Sequence, residues 1–165
     1  MIDQPQEHEQ QADAPGFDLL GHHRNTLDEK RRVAIPKAFR PQLGDEQGEL
    51  VLSRELGGDG CLALWPRDRF EAKLRELEGL RSGGAGVGNE TVRAYLRMVR
   101  ISSERVKPDR QARISLTKEQ CGLAGIEREV VFVGAGDHLE LWAPERLGTF
   151  EDKHDFAELT RQLFG

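Results

Sequence analysis

Cysteine, long apolar stretches and net positive charge are all scarce in this sequence, and each shortage removes a class of function. Cys61 and Cys121 are the two cysteines among 165 residues. They show no C-x-x-C spacing and no flanking histidine, so neither a cysteine zinc site nor a redox pair is supported, and buried free thiols are expected. No apolar run approaches the ~18 residues of a membrane span, and no charged-then-apolar leader opens the chain. A cytoplasmic protein with no membrane partner is expected. The formal net charge of −5 speaks against a general electrostatic grip on nucleic acid. Catalytic equipment is missing as well: no Ser-His-Asp, Cys-His or carboxylate constellation clusters, and Asp137 and His138 lie in a turn without a nucleophile nearby. His22 and His23 have no third ligand at metal spacing and read as surface histidines. The expectation is a protein that is not an enzyme, with no cofactor, no metal and no small-molecule substrate.

What the chain does have is one unit written twice. Thr26-Leu27-Asp28-Glu29-Lys30-Arg31-Arg32-Val33-Ala34-Ile35-Pro36-Lys37 returns as Val106-Lys107-Pro108-Asp109-Arg110-Gln111-Ala112-Arg113-Ile114-Ser115-Leu116-Thr117-Lys118. Asp28 matches Asp109, Arg32 matches Arg113, Val33 matches Ile114 and Lys37 matches Lys118, all at an offset of 81. Downstream, Glu49 to Leu52 matches Glu129 to Phe132, and Leu62 to Trp65 matches Leu139 to Trp142, with the offset falling to 77 through loop-length differences. Such internal repeats indicate a stacked or fused architecture. Each half is too small to bury a core alone, so one shared core is expected.

Read in order, residues 1–16 are polar, acidic and proline-bearing, and predict a disordered leader. Leu19 to Thr26 predicts a strand, Asp28 to Arg31 a turn, Arg32 to Ile35 a second strand, and Pro36 to Leu43 a short helix. Leu50 to Ser53 and Cys61 to Trp65 predict a hairpin across Gly57 to Gly60. Phe70, Leu74 and Leu77 place a stripe on a helix from Pro66 to Leu80. Residues 81–88 read as a glycine-rich linker. Their glycines are no phosphate cradle, since no G-x-x-x-x-G-K-[ST] pattern is present. A helix from Asn89 to Ile101 follows, with Asn89 expected as its cap and Val92, Tyr95, Leu96 and Val99 on one face. After the second copy, Pro144 opens a helix, and Phe150 to Phe164 reads as an amphipathic tail that packs on the body or on a neighbour.

The residues that carry both copies resemble the MraZ family, whose members have two tandem AbrB-like halves, each with a D-x-x-x-R motif. The likeness runs from about Gly21 to Phe150 and rests on Thr26 to Lys30, Ile35-Pro36, Phe39-Arg40, Gly60-Cys61-Leu62, Trp65-Pro66, Asp109 to Arg113, Ala124-Gly125-Ile126, Val131 to Gly134 and Leu141-Trp142. It implies an α+β fold in which two pseudo-symmetric halves form an AbrB-like β-barrel of swapped-hairpin or double-psi type, with helices after each half. With the composition of the ends and of the glycine-rich stretch, the expected division is a leader (1–16), a first half (17–80), a linker (81–88), a second half with its leading helix (89–150) and a C-terminal helical tail (151–165). The resemblance further implies a nucleoid-associated transcription factor that binds direct-repeat boxes in double-stranded promoter DNA upstream of a division and cell-wall gene cluster, as a ring-shaped homo-oligomer. The alternative is an AbrB-like antitoxin or protein-interaction module. One departure stands out. The family's motif has glycine before the arginine, where this chain has Arg31 and Ala112.

Charge gathers where the motif lies. Between Gly21 and Arg40, six cations (Arg24, Lys30, Arg31, Arg32, Lys37, Arg40) face Asp28 and Glu29, a local net of +4. In the second copy Arg105, Lys107, Arg110, Arg113 and Lys118 face Glu104, Asp109 and Glu119, a net of +2. The candidate DNA-binding residues are therefore Arg32, Lys30, Arg31, Lys37, Arg24, Arg113 and Arg110, with Arg32 foremost and the first copy dominant. Arginine suits a bidentate grip on guanine or phosphate. Asp28 and Asp109 are the structural members of the motif. A second reading of the same pairs stays open, in which Asp28 and Arg32 bind each other and only hold the turn.

Overall fold

The structure is a computed structural model that describes residues 18–43, 49–80 and 88–165. The leader expected over residues 1–16, residues 44–48 and the linker expected up to residue 87 lie outside the described residues. In chain order the elements are β1 (His22–Thr26), β2 (Arg32–Ala34), a 3-10 helix (Lys37–Leu43), β3 (Leu50–Arg54), β4 (Leu62–Pro66), α1 (Arg67–Gly79) and α2 (Asn89–Ser102). The second copy supplies β5 (Glu104–Val106), β6 (Arg113–Ser115), α3 (Lys118–Ala124), β7 (Glu129–Gly134), β8 (Leu139–Trp142), α4 (Pro144–Lys153) and α5 (Phe156–Phe164).

The fold is α+β, with antiparallel pairing throughout both sheets. Six strands run in the order β1-β7-β8-β4-β3-β5, and β2 and β6 form a separate two-stranded ribbon. The halves interleave rather than sit side by side. β1 of the first half pairs with β7 of the second, β4 with β8, and β2 with β6.

Alternation along the strands explains the layers. Leu50, Leu52, Leu62 and Leu64 point from β3 and β4 into a core shared with Val33 and Ile35 after β2, Ile114 and Leu116 around β6, and Phe132, Leu139 and Leu141 of β7 and β8. The intervening Val51, Ala63 and Trp65 face the other way, onto Phe70 and Leu74 of α1 and Val92, Leu96 and Val99 of α2. Both faces of β3 and β4 are thus covered, which is why they read as nearly continuous apolar runs. On the second half, Val131 and Trp142 meet Cys61, with Leu147 of α4 packed against them. β1 is instead polar and largely exposed. A polar edge strand deters pairing with foreign strands.

Glycine is required where the chain passes over β7. A Cβ on Gly134 would stand 2.5 Å from the backbone of Leu19 and Leu20. At the end of α3, Gly125 takes the left-handed conformation (φ 66°) that closes a helix whose start carries a Thr117–Gln120 capping box.

Several sequence expectations shift. The first strand is shorter than expected and is preceded by an isolated bridge from Leu19 to Gly136. Asn89 does not cap α2. Gly88 occupies the cap position and no side chain bonds there, because the chain is already helical at Asn89. The tail divides into the end of α4 and a separate α5, whose start is capped by Asp155. Its beginning meets the body, where Phe150 lies 5.6 Å from Trp142. Phe156, Leu163 and Phe164 stand exposed. Both cysteines are buried free thiols, and burial pushes Cys61 well above the ordinary thiol range. No helix among the described residues is long and apolar enough to cross a membrane.

Candidate nucleic-acid interface

The two aspartate–arginine turns have the same construction. In the first, Asp28 Oδ1 accepts from the backbone N–H of Lys30 (2.9 Å) and of Arg32 (2.8 Å), while Oδ2 accepts from Arg32 Nε (2.7 Å). In the second, Asp109 Oδ1 accepts from the N–H of Gln111 and Arg113 (both 2.9 Å), and Oδ2 from Arg113 Nε (2.9 Å). Each aspartate thus satisfies backbone donors that a four-residue turn leaves open, and fixes its arginine at the same time. The N–H of Arg32, helped by its guanidinium and by the N–H of Lys30, holds the Asp28 carboxyl below its ordinary range. The corresponding N–H of Arg113 does the same for Asp109.

The residue before each arginine lies in the left-handed region, Arg31 and Ala112 both at φ 57°. This conformation turns each carbonyl toward the other copy. Arg31 O accepts from Leu116 N–H (2.9 Å), and Ala112 O accepts from Ile35 N–H (2.8 Å). The motif keeps the turn that glycine favours and accepts the strain of a side chain there, about 1–2 kcal/mol per residue.

Between the turns, the ribbon pairs Arg32 with Ser115, Val33 with Ile114 and Ala34 with Arg113. Val33 and Ile114 are 1% and 2% exposed and point into the core. Period-two alternation therefore sends Arg32 and Arg113 to the outer face, where their side chains are 32% and 29% exposed. Asp28 Oδ2 also lies 3.8 Å from Arg113 Nη1, which links the two turns. The ion-pair reading of Asp28 and Arg32 is thus met in the geometry. It engages only Nε of the guanidinium, and among the described residues the terminal nitrogens of Arg32 carry no hydrogen bond.

Beside the ribbon lies an open cleft that draws cations from both copies: Lys30, Arg31, Arg105, Lys107, Arg113 and Lys118. Three carboxylates, Glu104, Asp109 and Glu119, share its lining. Of the residues named from sequence, Lys30, Arg31 and Arg113 come together here. Arg24 does not, since it pairs with Glu129 at 3.2 Å across β1 and β7. Lys37 and Arg110 are exposed outside the cleft lining, at the start of the 3-10 helix and at the second turn. Arg31 is partly committed, its Nε donating to Leu116 O at 3.2 Å. In the sequence Arg105, Lys107 and Lys118 contribute only local charge, and their convergence with Lys30 depends on the pairing of β2 with β6, which no local spacing shows.

Residues 19–82 and 102–164 match the family model described as "MraZ protein, putative antitoxin-like". The match continues through α5, beyond the limit at Phe150 that the sequence motifs suggested. The chain is similar to the transcriptional regulator MraZ of Saccharopolyspora erythraea, 36% identical over 147 residues, which span 88% of this chain and 96% of the relative. The protein of that name from Thermomicrobium roseum is 36% identical over 127 residues, covering 77% of this chain and 82% of its own length. That of Tropheryma whipplei is 32% identical over 147 residues, with 88% and 96% covered.

Proposed function

The chain belongs to the MraZ family, and from that premise we propose that it is a sequence-specific DNA-binding transcriptional regulator whose reading element is the β2–β6 ribbon. The observation that carries this is the outer face of the ribbon, where Arg32 stands beside a cleft whose six cations include Arg113. A two-stranded ribbon fits the major groove, where arginine reads guanine through two parallel hydrogen bonds. Lys30, Arg31, Lys37, Arg24 and Arg110 serve the backbone phosphates, with Lys30 nearest the reading face. Such contacts neutralise phosphates and make affinity salt-dependent, even in a chain of net charge −5. In this reading the ribbon and the six-stranded sheet close as an AbrB-like barrel, and the protein acts in the cytoplasm at the nucleoid.

A handful of contacts per chain gives weak binding, so repetition of the site is part of the mechanism. The proposed assembly is a head-to-tail ring of more than two chains, supported by the exposed apolar residues Met98 and Ile101 on α2 and Phe156, Leu163 and Phe164 on α5. It binds direct-repeat boxes in its own promoter, ahead of a division and cell-wall gene cluster, with the boxes spaced about one helical turn of ~10–10.5 bp. Fluorescence anisotropy with the protein's own upstream region tests this. Inserting about half a turn, ~5 bp, between two boxes abolishes the avid binding, and a full turn of ~10 bp is tolerated. Binding unchanged by the half-turn insertion removes the ring from recognition. Light scattering that returns the 18.6 kDa monomer at micromolar concentration removes the ring altogether. The family description also mentions antitoxins. Capture of one stoichiometric nuclease, with no DNA binding, would replace the regulator reading with that one.

A further inference from the structure

The turn after β3 and the β7–β8 hairpin belong to different halves, and they meet at a group of side chains that DNA binding does not use. One ligand atom each from Glu55, His138 and Glu140 lies within 4.8 Å of the others. His138 is held firmly. Its ring stacks on Trp65 at a centroid distance of 4.0 Å and an interplanar angle of 15°, and Trp65 is itself anchored by a bond from Nε1 to Ser53 Oγ (3.2 Å). On one edge of the ring, Nδ1 lies 2.7 Å from Asp137 Oδ1. A carboxylate only accepts, so in the neutral imidazole the proton sits on Nδ1 and Nε2 carries the lone pair. That Nε2 is shut off from solvent and has no hydrogen-bond partner among the described residues. A buried acceptor left in this state costs stability and requires an explanation.

The two carboxylates are also incompletely satisfied. Glu140 Oε1 accepts from Trp142 Nε1 (3.2 Å), and Glu55 Oε2 accepts from the N–H of Gly57 (2.5 Å). Among the described residues neither is paired with a lysine or arginine. Two carboxylates and an imidazole thus converge where no lysine or arginine among the described residues pairs with either acid.

We propose that Glu55, His138 and Glu140 form a binding site for a divalent transition-metal cation, Zn2+ foremost, that ties the first half of the chain to the second. One imidazole nitrogen and two carboxylate oxygens are donors that zinc accepts, with a further position for water. Asp137 plays the part of the outer carboxylate that orients a metal-bound histidine and fixes its tautomer. The cation would supply the missing partner of Nε2 and offset the repulsion between the glutamates in one step. Metal binding to the folded state also stabilises it by mass action.

The test is a calorimetric titration of the full-length, chelator-treated protein at pH 7 with ZnCl2, MnCl2 and MgCl2. One Zn2+ per chain is expected, bound more tightly than Mn2+, with a rise in thermal midpoint on zinc addition. His138→Gln and Glu140→Gln abolish the stoichiometric binding, and Asp137→Asn weakens it about 10–100-fold. Replacing His22 and His23 with asparagine leaves it in place. Wild-type protein that takes up no stoichiometric zinc overturns the proposal. So does zinc binding that survives both His138→Gln and Glu140→Gln, or that disappears with His22 and His23. Circular dichroism confirms that each variant is folded. Should His138→Gln unfold through loss of its stacking on Trp65, Glu55→Gln in the turn carries the same test.

Discussion

Residues Asp28 to Arg32 and Asp109 to Arg113 build the same turn with different side chains, and the comparison separates what the backbone demands from what is free to diverge. Both aspartates collect two backbone donors and one Nε, and both penultimate residues sit at φ 57°. Around that common frame the chemistry differs. Arg31 reaches across the ribbon to Leu116 O, whereas Ala112 has nothing to reach with. Arg113 comes within 3.8 Å of Asp28, and no matching contact between Arg32 and Asp109 occurs among the described residues. The aspartate fixes the shape of each turn. The other positions decide how much positive charge it displays.

The largest expected effect is on DNA binding. Arg32→Ala lowers affinity for the upstream region about 10–100-fold, the range of one bidentate contact at ~1–3 kcal/mol, and Arg113→Ala lowers it less. Anisotropy at ~150 mM salt measures both. Equal losses would dissolve the asymmetry and make the two turns a single reading surface, as their shared cleft permits.

Next in size is the strain at the left-handed positions. Ala112→Gly stabilises the protein by about 1 kcal/mol, since the side-chain penalty there is removed. Arg31→Gly gains less, because it also loses the bond to Leu116 O (3.2 Å). Denaturant unfolding separates the two variants through their midpoints. Matching gains would mean that the Arg31 bond contributes nothing.

The smallest effect lies in acid. Both motif carboxyls are held below the ordinary aspartate value of 3.8. Their contribution to stability is fully present above that value and is lost as pH falls through their lower folded-state values. Asp28→Asn and Asp109→Asn each flatten this part of the acid unfolding curve. Asp28→Asn flattens it more, because the Arg113 guanidinium also approaches Asp28. Identical curves for the two variants would show that the 3.8 Å contact carries no weight.

The parts of this molecule that were legible in the sequence are those written within a few residues. An aspartate four positions before an arginine, followed by apolar-polar-apolar residues, specifies both turns and the start of each ribbon strand. The Phe70–Leu74 stripe likewise specifies a helix face, which is buried as expected. What was hidden depends on distant pairing. Lys30 and Lys118 share a cleft only because β2 lies on β6. Glu55 and His138 meet only because β4 lies on β8. Asn89 resembles a cap for a local reason, but Gly88 occupies that position with no side chain to accept a bond.

The pairing of β1 with β7 also sets a timetable for synthesis. His22 finds its partner in Val133, 111 positions later. At about 5–20 residues per second on the ribosome, the first strand waits on the order of 5–20 s before its partner exists. During that interval the first half has neither its edge partner nor the β8 neighbour of β4, and its leucine face stays uncovered. Contacts of such long sequence separation also slow the closing steps. The exposed, polar His-His-Arg-Asn-Thr run of β1 suits that delay, because an apolar strand left waiting would invite pairing between nascent chains.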